Sequence, residues 1–422
     1  MDPSIKQRIA DIRHGNVPAG YRKIKLGIIP ADWNVELLGS IFIARDERVD
    51  NSADTPLFSL TIEDGITAKT ERYEREFLVK KEKNYKKVYP GDFVYNPMNL
   101  RFGAIARYHG NTPCSVSGYY DVFYLKNPSF YGDFIETLLQ SDILLKEYAN
   151  AATGSLIEKQ RVHFSNFCKI GFMQPNELEI TKIAKILRCC DRVIALKKEL
   201  IAEKKKQKKA LMQKLLNPDS GFRLPGFFGE WKEFKISEIC KIESGGTPAT
   251  GDEQCWNGDI FWCTPSDITN AGKYISHTPQ KITQKGIDTS SATLLPTGSV
   301  IMCSRASIGP RCITQVPMAT NQGFKNFICS DLLYNEFWYY FIDTILEDLY
   351  KMASGNTFKE VSKNSIATYN VTIPSSLKEQ KAIADILSAA DKEIDLLEQE
   401  LVQQEQKKKS LMQLLLTGIV RV

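Results

Sequence analysis

The sequence is poor in the residues that build reactive centres. It has four histidines, all far apart, and its ten cysteines (Cys114, Cys168, Cys189, Cys190, Cys240, Cys255, Cys263, Cys303, Cys312 and Cys329) include no Cys-x-x-Cys pair. Zinc sites draw on such paired ligands, so the thiols read as buried and reduced and no metal is expected. No run approaches 18 apolar residues, and the opening MDPSIKQRIADIRHG has no apolar centre. Membrane insertion and export are therefore not expected, and a cytoplasmic location is.

Nucleotide cradles are missing too: no Gly-x-Gly-x-x-Gly follows a strand-like run, and no Gly-Lys-Ser/Thr occurs. The nearest stretch, Ser244-Gly245-Gly246-Thr247-Pro248, has the composition of a tight turn. Asn96-Pro97-Met98-Asn99 is faintly like the Asn-Pro-Pro-aromatic site of amino-methyltransferases, but lacks the second proline and the aromatic that stacks on a flipped base. Pro218-Asp219 with Glu230-Trp231-Lys232 has the letters of a nuclease core, yet it lies in a Gly/Pro-rich connector where adjacent buried strands are not expected. Scattered histidines leave no triad to defend. No catalytic centre is legible.

What is present is a duplication. Lys182–Leu216 (KIAKILRCCDRVIALKKELIAEKKKQKKALMQKLL) is echoed without a gap by Ala382–Leu416 (AIADILSAADKEIDLLEQELVQQEQKKKSLMQLLL) two hundred residues later. Ile183, Leu187, Ile194, Leu211 and Leu215, like Ile383, Leu387, Ile394, Leu397, Leu401, Leu411 and Leu415, fall on the three- and four-residue steps of a coiled-coil seam. Lys204 and Lys208, or Gln404 and Lys408, interrupt it. The first copy has twelve basic residues against three acids and the second four against seven, so the two helices should pair with each other, antiparallel, as spacer and docking elements. At about 1.5 Å per residue each is roughly 50 Å long.

A globular part precedes each helix. The resulting division is an N-terminal segment (1–20), a first globular domain (21–178), a central helix (179–217), a second globular domain (218–376) and a C-terminal helix (377–422). Pro90-Gly91-Asp92-Phe93-Val94-Tyr95 resembles Pro296-Thr297-Gly298-Ser299-Val300-Ile301; Phe102-Gly103 resembles Ile308-Gly309; helical Phe130–Tyr148 matches Asn335–Tyr350. The fold class is α+β: two tandem globular domains of mixed strands and helices, with two long antiparallel coiled-coil helices and a pseudo-twofold internal repeat. Between the shared turns the residues differ, as two binding domains for two targets would.

A net charge of +5 permits a nucleic-acid partner. Lys69, Arg72, Arg75, Lys80, Lys81, Lys83, Lys86 and Lys87 crowd one stretch, and Asn96, Asn99 and Arg101 follow on a loop, with Tyr119 beyond. Arg and Asn can bond two atoms of guanine or adenine, while lysines mainly meet phosphates. The second domain offers Ser304, Arg305 and Ser307 on the equivalent loop and Asn321 and Gln322 on the turn before Gly323, with Thr247 and Lys273 as further candidates.

The chain resembles the specificity (S) subunit of Type I restriction-modification systems. The resemblance rests on the entrances ending in Trp33 and Trp231, on Gly245-Gly246-Thr247-Pro248 with Trp262-Cys263-Thr264-Pro265-Ser266-Asp267-Ile268, on Ile373–Ile383, and on the repeated Leu-Met-Gln-x-Leu-Leu helix end. In the first half Asn176-Glu177-Leu178-Glu179-Ile180 stands where Glu-Gln is usual, and no Gly-Gly-Thr-Pro appears. The resemblance implies two target recognition domains, each reading half of a split double-stranded DNA site. It also implies two methyltransferase subunits on the helices and two restriction subunits in the larger complex. S-adenosylmethionine would belong to the methyltransferase and ATP with Mg²⁺ to the restriction subunit, leaving this chain without a cofactor and without catalysis. The competing expectations are a coiled-coil adaptor with two ligand-binding domains and, further off, a stand-alone methyltransferase or nuclease.

Overall fold

The computed structural model describes residues 3–50, 52, 54–68, 85–127, 132–156, 160–355 and 359–422. It divides into two compact units, one joining residues 1–198 to 400–422 and the other comprising 199–399. Both expected long helices are present, the central one at Glu177–Leu215 and the C-terminal one at Leu377–Leu416, and the division falls inside each. Among the described residues no helix is long and apolar enough to cross a membrane.

Within each unit the two helix segments run antiparallel. In the first, Lys197 pairs with Glu400 and Lys408 with Asp191. In the second, Lys204 meets Glu393 at 2.6 Å, Lys205 meets Glu398 at 2.7 Å, and Lys208 pairs with Asp391. The seam interruptions are thus filled by ion pairs: Lys208 and Lys408, each about three-quarters buried, face aspartates that are themselves two hundred residues apart.

The first unit is built on a four-stranded sheet ordered 105–107, 93–95, 121–125, 42–45. The second repeats that order with 311–314, 300–303, 324–329 and 240–244, and adds the parallel edge strand Tyr274–Ile275. The turns leading into the strands at 93 and 300 carry Gly91 at φ +89° and Gly298 at φ +87°, left-handed positions that glycine takes without steric cost. The repeat seen in the letters is therefore a repeat of backbone conformation. The helical stretch expected at Phe130–Tyr148 is, within the described residues, two helices, Gly132–Leu139 and Asp142–Ala151. Ser141 caps the second by accepting from the Leu144 amide, a local bond that competes with helix continuation. Its counterpart in the second unit, Asn335–Met352, is unbroken.

Each unit buries one end of each long helix. Ile183, Leu187, Leu415 and Leu416 join Phe42, Phe93, Tyr95, Phe123 and Phe167 in the first core, and Ile383, Leu387, Leu215 and Leu216 join Phe327, Trp338 and Phe341 in the second. Leu-Met-Gln-x-Leu-Leu is thus a plug: the helix that follows one globular domain ends in the core of the other unit. A buried glutamate marks each such join. Glu379 receives both its hydrogen bonds from Arg223, and Glu179 receives Arg421 and the Trp33 indole. Glu179 therefore occupies the position of Glu379, and the departure from Glu-Gln at this point lies in Ile180, which enters the apolar core where Gln380 instead bonds the Leu332 and Pro374 carbonyls.

Candidate nucleic-acid interface

Strand register brings the candidate loops of each unit to one end of its sheet. In the first unit Asp121 is paired with Tyr95, so the loop beginning at Asn96 and the turn holding Tyr119 leave the sheet side by side. Asn96 turns the chain by accepting the Met98 amide, and Gly103 closes the loop at φ +96°. Arg101 donates to Gln160 at 2.6 Å and lies 4.7 Å from the Phe102 ring. Asn99 is exposed, and Tyr119 is 90% exposed. Lys69 and Arg72 lie outside the described residues, as do Arg75, Lys80, Lys81 and Lys83. Of the same basic stretch, Lys86 is buried against Asp46 and Asp121 and Lys87 pairs with Glu47. Those two charges neutralise acids within the domain.

The second unit gathers three turns. Cys303 pairs with Phe324 and Ser244 with Lys325, so the segments starting at Ser304, ending at Gly323 and starting at Gly245 emerge together. Thr247 donates to Gln322. Gly245 and Gly246 are there for close approach: a Cβ on Gly245 would stand 1.8 Å from the Asn321 carbonyl oxygen, and the Gly246 carbonyl accepts the Trp262 indole. Ser304, fully buried, donates to the Gly323 carbonyl, and the Asn321 side chain accepts the Gly323 amide. Both side chains shape the turns. Arg305, Ser307 and Gln322 face solvent. Lys273 goes elsewhere: its ammonium sits 2.9 Å from Glu336 and 2.6 Å from Ser388 of the C-terminal helix, over the Tyr340 ring.

Two residues that the sequence reading missed complete this end. Lys325, buried, pairs with Glu360 at 3.1 Å, and Arg305 approaches the same carboxylate at 4.0 Å. The available signal was a lysine, followed by Asn326, inside a strand-like run flanked by Phe324 and Phe327. Nearby thiols are inert, since burial pushes Cys303 up to about 11 and Cys312 up to about 12. Among the described residues no group of His, Cys, Asp and Glu could hold a metal.

The seam residues offered as docking positions are largely spent on the cores, and Leu211 is among the more exposed of them. Exposed apolar side chains on the long helices include Leu178, Val193, Leu196, Leu200, Leu396 and Val402, of which Leu178, Leu196, Leu396 and Val402 are more than half exposed. Each unit also has a groove beside the plugged helix end. One, of about 790 Å³, is lined by Lys209, Met212, Gln213 and Leu216; the other, of about 580 Å³, by Lys409, Met412, Gln413 and Leu416.

A profile of the type I restriction modification DNA specificity domain matches residues 229–406. The Type I restriction enzyme MjaIX specificity subunit of Methanocaldococcus jannaschii is 36% identical over 42% of this chain and 40% of its own length. The putative type I restriction enzyme MjaX specificity subunit of the same organism is 25% identical over 95% of this chain and 97% of its own length. The chain is thus similar to the specificity subunits of Type I restriction-modification systems. The crystal structure of an S subunit of a Type I restriction-modification system from M. genitalium superposes with a TM-score of 0.54 at 15% identity, covering 91% of this chain and 96% of that chain, and so supports the fold.

Proposed function

We propose that this chain is a Type I specificity subunit that recognises double-stranded DNA at a split, asymmetric site, each globular domain reading one half. The observation that carries the reading is the four-strand order common to the two sheets, which presents unlike polar loops at the same end: Asn99, Arg101 and Tyr119 in one, Thr247, Arg305, Ser307 and Gln322 in the other. Side chains of these types supply base contacts in the major groove, and phosphate contacts supply most of the affinity. The chain itself performs no chemistry in this reading. It directs adenine-N6 methylation by two methyltransferase subunits, which carry S-adenosylmethionine, and ATP- and Mg²⁺-dependent cleavage by two restriction subunits. The two grooves built from the same Lys, Met, Gln and Leu, with Leu196 and Leu396 exposed at matching positions, support docking of two copies of one partner.

The helix pair acts as a ruler. Reading two major-groove segments from one side of a duplex needs a separation near one turn, roughly 34 Å, which helices of 39 and 40 residues can span. The test is to co-express the chain with its methyltransferase partner and map N6-methyladenine across the host genome. Two short blocks around a fixed unread gap are expected, and lengthening both helices by whole heptads should widen the gap without changing the blocks. Methylation at a continuous motif, or none from a soluble complex, would favour the adaptor reading.

A further inference from the structure

Ala306 stands out in the backbone. Among the described residues only Asn257 and Ala306 combine a side chain with positive φ, and asparagine tolerates that region whereas alanine does not. Ala306 has φ +64°, and the Ser307 amide bonds the Arg305 carbonyl across it at 2.8 Å. That is the rare, strained form of the γ-turn. The turn is held by its neighbours: the Ala306 amide bonds the Lys359 carbonyl at 3.1 Å and the Val361 amide bonds the Ser304 carbonyl at 3.0 Å. Glu360, between those two anchors, faces both Arg305 and the buried Lys325. The corresponding loop of the first unit closes on Gly103 and carries no such strain.

Strained backbone persists only where surroundings over-determine it, and such places concentrate at ligand-contacting sites. Here three features converge on one exposed arginine. The tip conformation is fixed by a strained turn, the guanidinium stands 4.0 Å from the Glu360 carboxylate, and Glu360 is itself held by a lysine ammonium with almost no access to water. Two cations share one carboxylate, so the cluster keeps a positive excess to offer an anionic or acceptor-rich ligand. A loose arginine would meet any phosphate, whereas one held at a set angle discriminates among base edges, because a bidentate contact needs its donors in place.

We propose that the Arg305-Ala306-Ser307 turn is the element that sets base selectivity in the second domain, with Ala306, Glu360 and Lys325 as positioning residues for Arg305. This rests on the DNA-recognition reading above. The test uses the complete complex with its methyltransferase and compares methylation rates on the mapped motif and on single-base variants of each half. Ala306→Gly removes one exposed methyl and relaxes the turn; Glu360→Gln removes the charge that orients the arginine. Each should lower the ratio of correct to mismatched methylation by about tenfold in one half of the motif and leave the other half unchanged. Ala306→Gly should do so without lowering the melting midpoint. An unchanged ratio in both variants overturns the inference, as does a uniform loss on all sites with the ratio kept. A wild-type complex that methylates no split motif overturns the recognition reading and this inference together, so the two failures are told apart.

Discussion

The two units solve one construction problem with different degrees of rigidity. Both seat a four-stranded sheet against antiparallel helix segments, and both tie an acid at the start of one domain helix to residues 188 or 388 of a long helix: Asp133 to Arg188, Glu336 to Ser388. Among the described residues the second unit carries further ties around this common frame. It has the unbroken helix Asn335–Met352, the added edge strand, and Lys273 bridging Glu336 and Ser388. The first has the break at Ser141, and its Arg101 donates to the Gln160 side chain. A duplicated scaffold can therefore keep its frame and diverge in how firmly it holds its loops.

The sharpest break in the comparison lies at the buried glutamates. Arg223→Met deprives Glu379 of both hydrogen bonds and should cost about 3–5 kcal/mol, the usual penalty for stranding a buried charge. Arg421→Met should cost less, because Glu179 keeps the Trp33 indole. Denaturant unfolding, with hydrogen exchange to assign the effect to one unit, reads the difference; equal losses would show the third bond to be worthless.

A smaller effect is expected along the helices. Double-mutant cycles on Lys208–Asp391 and Lys408–Asp191 should give coupling of about 0.5–1 kcal/mol, larger for the former because Asp391 also accepts the Tyr340 hydroxyl at 2.5 Å. The reverse order would mean that the tyrosine competes with the lysine instead of orienting the carboxylate.

The smallest concerns pH. His109 in the first unit is hydrogen-bonded to Glu136 at 2.9 Å, and this bond raises its pKa against an opposing effect of burial. With the folded value above the unfolded one, the contribution is complete below about pH 6.5 and is lost as pH rises through the folded value. The unfolding midpoint of the first unit should drift slightly downward over that range, and Glu136→Gln should abolish the drift.

What the sequence revealed was what repeats. The helices were legible because a seven-residue rhythm was written twice, and the shared turns because Gly91 and Gly298, or Gly103 and Gly309, occupy φ values that other residues avoid. The helix break was hidden, since Ser141 acts through one local bond that composition does not announce. The fate of individual charges was hidden as well: Lys86, Lys87 and Lys273 read as DNA-facing cations, but partners distant in sequence draw their ammonium groups into ion pairs. Lys325 and Glu360 escaped notice because they are thirty-five residues apart in sequence and meet only in the folded unit.

The distribution of thiols gives this molecule a built-in reporter. Nine of the ten cysteines are buried or half-buried, and Cys189 is exposed, on the central helix one turn before Val193. A maleimide fluorophore applied sparingly to the unmodified chain should react there first, so that a partner settling on the apolar helix face would change the dye's brightness and tumbling without any engineered residue.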